Sequence, residues 1–150
     1  MSYHDEVRKV YAAVDALFAG WSCDVSTDCC HFARTGREPY LTPIEWAYLQ
    51  SAMAKRPAKK ARLPTVDEGR CPLLGPDHRC SSYAERPFGC RTFFCERASS
   101  FGVKLPRKSL REQLHQLMAV GERYGLKGEP RPLRRWVSSA QNVDSPANPR

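Results

Sequence analysis

The sequence predicts a mainly α-helical fold with three principal helices and a small cysteine-rich metal-binding region of irregular chain and β-hairpin. Three observations support it: three helical stretches with start signals, a segment rich in proline and glycine before the third, and seven cysteines confined to residues 23–95. We expect a single cysteine-cluster domain over residues 1–125, because 150 residues fit one domain. Residues 126–150 are predicted to form an extended, partly disordered tail, whose first part docks through Leu133 and Trp136.

The first principal helix is predicted over residues 3–19. Apolar residues recur here at steps of three and four, as on one face of an amphipathic helix. Ser2 is placed to cap its start and Gly20 to end it. The apolar positions are Val7, Val10, Tyr11, Val14, Leu17 and Phe18.

The second principal helix has a complete start signal. Thr42, Pro43 and Glu45 supply an N-cap, a first-turn proline and the acid of a reciprocal capping box. Pro57 should end this helix at about residue 56. The predicted inward face holds Ile44, Ala47, Tyr48 and Met53.

The third principal helix is predicted from Ser109, which forms a second capping-box pattern with Glu112, to a stop at Gly125. Its apolar positions are Leu110, Leu114, Leu117, Met118 and Tyr124. Before it, residues 62–97 are broken by seven prolines and glycines, which favours short strands and turns. Residues 71–74 and 79–83 are predicted to pair as a hairpin, with Tyr83 in the core.

The cysteines form two packets, which we call the first packet (residues 23–30) and the second packet (residues 71–95). Their odd number and the polar, charged start of the sequence argue against a secreted disulfide scaffold. No window approaches the roughly 18 apolar residues of a membrane span. We therefore expect a cytoplasmic protein whose cysteines bind metal or react.

The spacing of the cysteines does not identify the metal. Structural zinc sites use four ligands, often as closely spaced pairs, whereas here the spacings are Cys-x5-Cys-Cys and Cys-x8-Cys-x9-Cys-x4-Cys. Iron–sulfur clusters also require several thiolates. From the spacing alone, zinc and an iron–sulfur cluster are close competitors.

The cysteine motifs resemble those of the CxxCxxCC putative zinc- or iron-chelating family, also called YkgJ-like cysteine-cluster proteins. CDVSTDCC at residues 23–30 is similar to CxxCxxCC, with Ser26 at the second cysteine position. CPLLGPDHRCSSYAERPFGCR at residues 71–91 is similar to the family's C-terminal pattern, and LTPIE at residues 41–45 to its intervening helix start. The cysteine module also resembles one in flagellin lysine methylases.

The resemblance implies an all-cysteine metal site that joins the two packets. It carries over six candidate metal ligands, and Cys95 is a further candidate beyond the family pattern. The six are Cys23, Cys29, Cys30, Cys71, Cys80 and Cys90. The leading hypothesis is a metal-binding protein; a metal-dependent oxidoreductase or group-transfer enzyme is the alternative, and no catalytic residue is assigned.

The net charge of +8 permits a third hypothesis, a basic adaptor for nucleic acid or another acidic partner. The candidate contact is the cluster Lys55, Arg56, Lys59, Lys60 and Arg62. A helix C-terminus with favourable positive charge explains the same residues, and we prefer this explanation. His31 and His78 neighbour cysteines but are expected at the surface. Arg86 and Arg91 either orient thiolates or a substrate, or simply balance charge.

Overall fold

The structure, a computed structural model, describes residues 1–18, 30–55, 69–75, 77, 79–92 and 106–144, with only the backbone for residues 141–144. The mainly α-helical prediction is confirmed. The elements are α1 (Tyr3–Ala16), α2 (Phe32–Thr35), β1 (Tyr40–Leu41), α3 (Pro43–Ala54), a 3₁₀ turn (Tyr83–Glu85), α4 (Phe88–Arg91), α5 (Arg107–Arg123), β2 (Arg131–Pro132) and α6 (Leu133–Asp144).

The three predicted principal helices correspond to α1, α3 and α5. Ser2 and Thr42 each cap their helix, and both predicted capping boxes are present. The capping box predicted at Ser109 is wrong, because α5 begins two residues earlier, after Pro106. Pro106 is the N-cap residue of α5, and a proline disfavours the helical conformation in the residue before it, which favours a helix that begins after Pro106. Gly125 ends α5 as predicted, with φ of 74° and the paired hydrogen bonds of a Schellman motif.

The segment expected to be an extended tail contains regular structure. Strand β2 pairs antiparallel with β1, with Tyr40 opposite Pro132 and Leu41 opposite Arg131. Leu133 begins α6 and is fully buried, and the Trp136 indole N–H donates to the Leu41 carbonyl at 3.0 Å. The expected docking of Leu133 and Trp136 is therefore observed, whereas residues 133–144 are helical instead of extended. The domain boundary at residue 125 stays a prediction.

Two apolar clusters form the core, and α3 belongs to both. The helical cluster lies between α1, α3 and α5 and comprises Val7, Val10, Tyr11, Val14, Ile44, Tyr48, Leu110, Leu117 and Val120. The cysteine-side cluster joins the other face of α3 to α6 and comprises Phe32, Leu41, Trp46, Leu49, Met53, Cys71, Leu73, Leu133 and Val137. The predicted inward face of α3 was incomplete, because this helix is buried on two sides.

Candidate metal centre

Four of the seven candidate metal ligands lie in the described part of the chain. They are Cys30 of the first packet and Cys71, Cys80 and Cys90 of the second packet. Cys23, Cys29 and Cys95 lie outside the described residues, as do His78 and most of the basic cluster that follows α3.

The backbones of the two packets meet at Cys30 and Cys71. The Cys71 N–H donates to the Cys30 carbonyl at 2.7 Å, and the Ala33 N–H donates to the Gly69 carbonyl at 3.0 Å. Gly69 has φ of +79°, and a Cβ at this position would lie 2.5 Å from the Ala33 Cβ. The two chain segments thus approach so closely because residue 69 has no side chain.

A chain reversal brings Cys80 back toward Cys71. Leu74 and Cys80 form an antiparallel bridge, and the Gly75 N–H donates to the Arg79 carbonyl at 2.8 Å. The Ser81 N–H and hydroxyl both donate to the Leu73 carbonyl at 2.7 Å. The predicted hairpin is therefore present as a minimal pairing, stabilised by these backbone contacts.

Cys30, Cys71 and Cys80 share an apolar environment. Cys71 is buried in the cysteine-side cluster, and Cys30 and Cys80 pack against the same cluster at its edge. One residue from the first packet and two from the second packet are thus collected on one side of the molecule.

Cys90 is positioned differently, by the four-residue helix α4. The Phe88 N–H, at the start of this helix, donates to Glu45 Oε1 at 2.6 Å, and the Phe88 ring packs against the helical cluster. Cys90 also borders a cavity of about 400 Å³ with Gly89 and residues 36–40. The approach is tight, since a Cβ on Gly89 would lie 3.1 Å from the Pro39 Cβ.

Glu45 is a buried carboxyl group at the junction of α1, α3 and α4. Burial raises its pKa, and hydrogen bonds from Thr42, Phe88 and Tyr11 oppose this rise. The Tyr11 hydroxyl donates to it at 3.0 Å, and the pKa of Tyr11 is also raised, first by burial and then by the Glu45 charge. The sequence identified the capping role of Glu45 but contained no signal for its contact with Phe88.

Arg86 and Arg91 fix the segment around Cys90. Arg91 donates to the carbonyls of Ala84 and Arg86 and to Asp15 Oδ2, each at 2.7 Å. Its side chain is 4 % exposed. Arg86 donates to the Tyr83 carbonyl at 2.9 Å, with its guanidinium 4.0 Å from the centre of the Tyr83 ring. These arginines attach the 3₁₀ turn and α4 to α1, a role that the sequence did not predict.

Three other residues that the sequence singles out lie in the described part of the chain, and one of them differs from its expected position. Tyr83, predicted in the core, is 58 % exposed, because the short 3₁₀ turn projects its ring toward solvent. His31 precedes α2 and its side chain makes no capping hydrogen bond. Lys55 is the exposed C-cap residue of α3, in keeping with the helix-end explanation.

The described residues alone do not complete a metal site. Within residues 1–18, 30–55, 69–75, 77, 79–92 and 106–144, no three His, Cys, Asp or Glu side chains are grouped to hold a metal ion. Next to Cys71, the buried Arg70 Nε has no hydrogen-bond partner among those residues. A thiolate or another anion within hydrogen-bond reach of Arg70 Nε would satisfy this donor.

Among the described helices, none is long and apolar enough to cross a membrane. A model of the protein family CxxCxxCC, described as "Putative zinc- or iron-chelating domain", matches residues 22–110. No curated protein and no solved structure matches the chain.

Proposed function

Because the chain belongs to the CxxCxxCC family, we propose that it binds zinc or iron through one thiolate centre shared by its two cysteine packets. The observation that carries the proposal is the hydrogen bond between the backbones of Cys30 and Cys71. It holds together two residues 41 positions apart in sequence, one from each packet.

The proposed ligands are drawn from the seven cysteines, since a zinc ion or an iron–sulfur cluster is typically held by four of them. Cys30, Cys71 and Cys80 come from the edge of the cysteine-side cluster and Cys90 from α4. Cys23, Cys29 and Cys95 complete the set. Thiolates are soft donors that suit zinc and iron–sulfur clusters alike, so the donor set fits either group. A reducing cytoplasm suits such a centre, because it keeps thiols from pairing.

The centre would supply folding energy as well as chemistry. Zinc would act as a structural ion or a Lewis acid, and an iron–sulfur cluster as an electron carrier. Arg70 adjoins Cys71 in sequence, and its buried Nε has no hydrogen-bond partner within the described part of the chain, which is consistent with a negatively charged group near this segment. We therefore expect metal binding to stabilise the segment from Gly69 to Ser81.

Metal analysis and an absorption spectrum of protein purified without oxygen test the proposal. Colourless protein with about one zinc per chain supports a zinc centre. Brown protein with iron and sulfide supports an iron–sulfur cluster. Protein that retains neither metal and takes up neither on anaerobic reconstitution contradicts the proposal.

Matched cysteine substitutions then rank the ligands. Cys90→Ser should release metal, because it removes a ligand on a helix fixed by Glu45 and Arg91. Cys95→Ser should have a milder effect, since Cys95 is an addition to the family pattern. Equal metal loss in the two variants, measured by metal analysis, contradicts this ranking.

The cavity beside Cys90 favours a second candidate function, that of a metal-dependent oxidoreductase or group-transfer enzyme. It is lined by Gly36, Arg37, Glu38, Pro39, Tyr40, Gly89 and Cys90. A metal with an exchangeable position there would accept small ligands, whereas a closed structural site would not. Cobalt-substituted protein whose absorption bands shift on addition of azide supports the enzyme; unchanged bands support a structural centre.

A further inference from the structure

The contacts of Glu45 exceed what a helix cap requires. Its Oε2 accepts hydrogen bonds from the Thr42 N–H at 2.9 Å and the Thr42 hydroxyl at 3.1 Å, which closes the capping box of α3. Its Oε1 accepts from the Tyr11 hydroxyl at 3.0 Å and the Phe88 N–H at 2.6 Å. One carboxyl oxygen thus accepts the hydrogen bonds of the capping box, and the other accepts hydrogen bonds from α1 and α4.

The capping box of α1 shows what the cap alone needs. There, Asp5 Oδ2 accepts from the Ser2 N–H at 3.1 Å and the Ser2 hydroxyl at 2.7 Å, at an exposed position. The shorter acid is sufficient for that helix. At α3 the acid is one methylene longer and 1 % exposed, and its second oxygen contacts a segment 43 residues away. Burial of a carboxyl group is costly, so capping does not account for this arrangement.

The segment that Glu45 contacts is the one that carries Cys90. Phe88 is the first residue of α4 and Cys90 is the third, and a helix of four residues has little stability of its own. Its start is held by Glu45 and its end by the contacts of Arg91. The position of the Cys90 backbone is therefore set from both ends by side-chain hydrogen bonds.

From this geometry we propose that Glu45 is a positioning residue for the metal centre: through the Phe88 N–H it sets where α4 presents the Cys90 thiolate. This inference rests on the proposed function, since it takes Cys90 as a ligand. Groups that orient metal ligands from outside the coordination sphere typically contribute about 10- to 100-fold to metal affinity. Glu45 acts in this way through the backbone of α4.

Two substitutions of Glu45 separate positioning from capping. Glu45→Asp should still close the capping box of α3, as Asp5 does in α1. Its shorter side chain should no longer reach the Phe88 N–H. Glu45→Gln should keep an acceptor opposite Phe88 and place its amide nitrogen toward the Thr42 N–H, which weakens the cap. Thr42→Ala is the matched control, because it weakens the cap and leaves Oε1 in place.

The measurement is cobalt affinity of the full chain by chelator competition, together with the thiolate-to-cobalt absorption bands and the urea midpoint. We expect Glu45→Asp to bind cobalt about 10- to 100-fold more weakly, with shifted bands. Glu45→Gln and Thr42→Ala should be less stable yet bind cobalt within about threefold of the wild type. In a Cys90→Ser background, with enough cobalt to load the remaining thiolates, Glu45→Asp should cause no further change in the thiolate-to-cobalt bands.

Wild-type affinity and bands in Glu45→Asp would overturn the positioning role and leave the proposed function standing. A wild-type protein without thiolate bands would overturn both. If Glu45→Asp fails to fold, Glu45→Gln carries the test: retained affinity with lower stability supports the inference, and loss of affinity in folded protein overturns it.

Discussion

The helical cluster and the cysteine-side cluster are built in different ways. The helical cluster joins three long helices through residues that repeat every three or four positions. The cysteine-side cluster joins one face of α3 to α6 and to short loop segments that carry three cysteines. In the described part of those loops, the backbone hydrogen bonds include those donated by Cys71, Gly75 and Ser81. On the proposed function, apolar burial together with helix capping and buried hydrogen bonds organises the first cluster, whereas metal ligation would complete the second.

The largest expected effect that separates the clusters comes from metal removal. Trp46 and Trp136 stack in the cysteine-side region, with ring centroids 6.0 Å apart and an angle of 19°. A thiol-compatible chelator should abolish most of the near-ultraviolet circular dichroism and retain most of the far-ultraviolet helical signal. Re-addition of the metal should restore the tryptophan signal. Loss of both signals in a single step would show that the clusters do not differ in this way.

The second largest effect is expected from a substitution that creates a cavity in the helical cluster. Leu117 is fully buried, so Leu117→Ala should lower the free energy of unfolding by about 3 kcal/mol. Metal affinity of the folded protein should change little, because Leu117 belongs to the helical cluster whereas Cys30, Cys71 and Cys80 lie in or against the cysteine-side cluster. Urea titration and chelator competition measure the two quantities.

The adjacent Met118, 36 % exposed, is the control for the cavity, and Met118→Ala should change stability by about 0.5 kcal/mol or less. Metal loss from folded Leu117→Ala protein would mean that the two clusters are tightly coupled.

The third effect targets the meeting point of the two packets. Gly69→Ala combines an unfavourable positive φ with a Cβ placed 2.5 Å from the Ala33 Cβ. We expect a loss of about 2 kcal/mol and weaker metal binding, because the segments of Cys30 and Cys71 must separate. Gly36→Ala is the matched control: φ is +66° and nothing lies within 4 Å of the added Cβ. Equal effects of both substitutions on metal affinity would count against a shared centre.

The smallest expected effect concerns pH and the N-terminus of α1. Burial, and then the charges of Lys55 and Arg8, lower the pKa of His4 from 6.5. The folded state therefore binds fewer protons than the unfolded state, and stability should fall as pH drops below about 6.5 toward the lowered pKa. His4 Nε2 lies 2.8 Å from Ser51 Oγ in a partly exposed site, so the effect is modest.

Urea midpoints between about pH 7 and about pH 5 measure this effect, with His4→Gln as the comparison. The acid-induced decline should be smaller in His4→Gln, and thiolate protonation cancels because it is common to both proteins. An identical decline in the two proteins would show that His4 does not cause the loss of stability.

The same difference between clusters explains what the sequence predicts. The helical cluster was largely predictable, because periodicity and capping are local signals: Val7, Val10, Tyr11 and Val14 are all buried as expected. Leu17, expected on the same face, is 36 % exposed because α1 ends at Ala16.

The cysteine-side cluster was predictable only in part. The cysteine motifs indicated metal binding, and the turn residues indicated the hairpin around Cys80. Helix α6 was missed because prolines at 130 and 132 suggested extended chain, and its burial against Leu41 is a long-range contact. The contacts between Glu45 and Phe88 and between Asp15 and Arg91 also join residues distant in sequence, which no local pattern encodes.

The most direct test of the central claim is a cobalt titration of Cys30→Ser, Cys71→Ser and the double variant, followed by the thiolate-to-cobalt bands. A shared centre predicts that each single substitution weakens the same bands and that the double variant loses no more cobalt than the more affected single one. Two single substitutions that each remove a separate part of the bands, with losses that add in the double variant, would show that the packets bind metal independently and contradict the account.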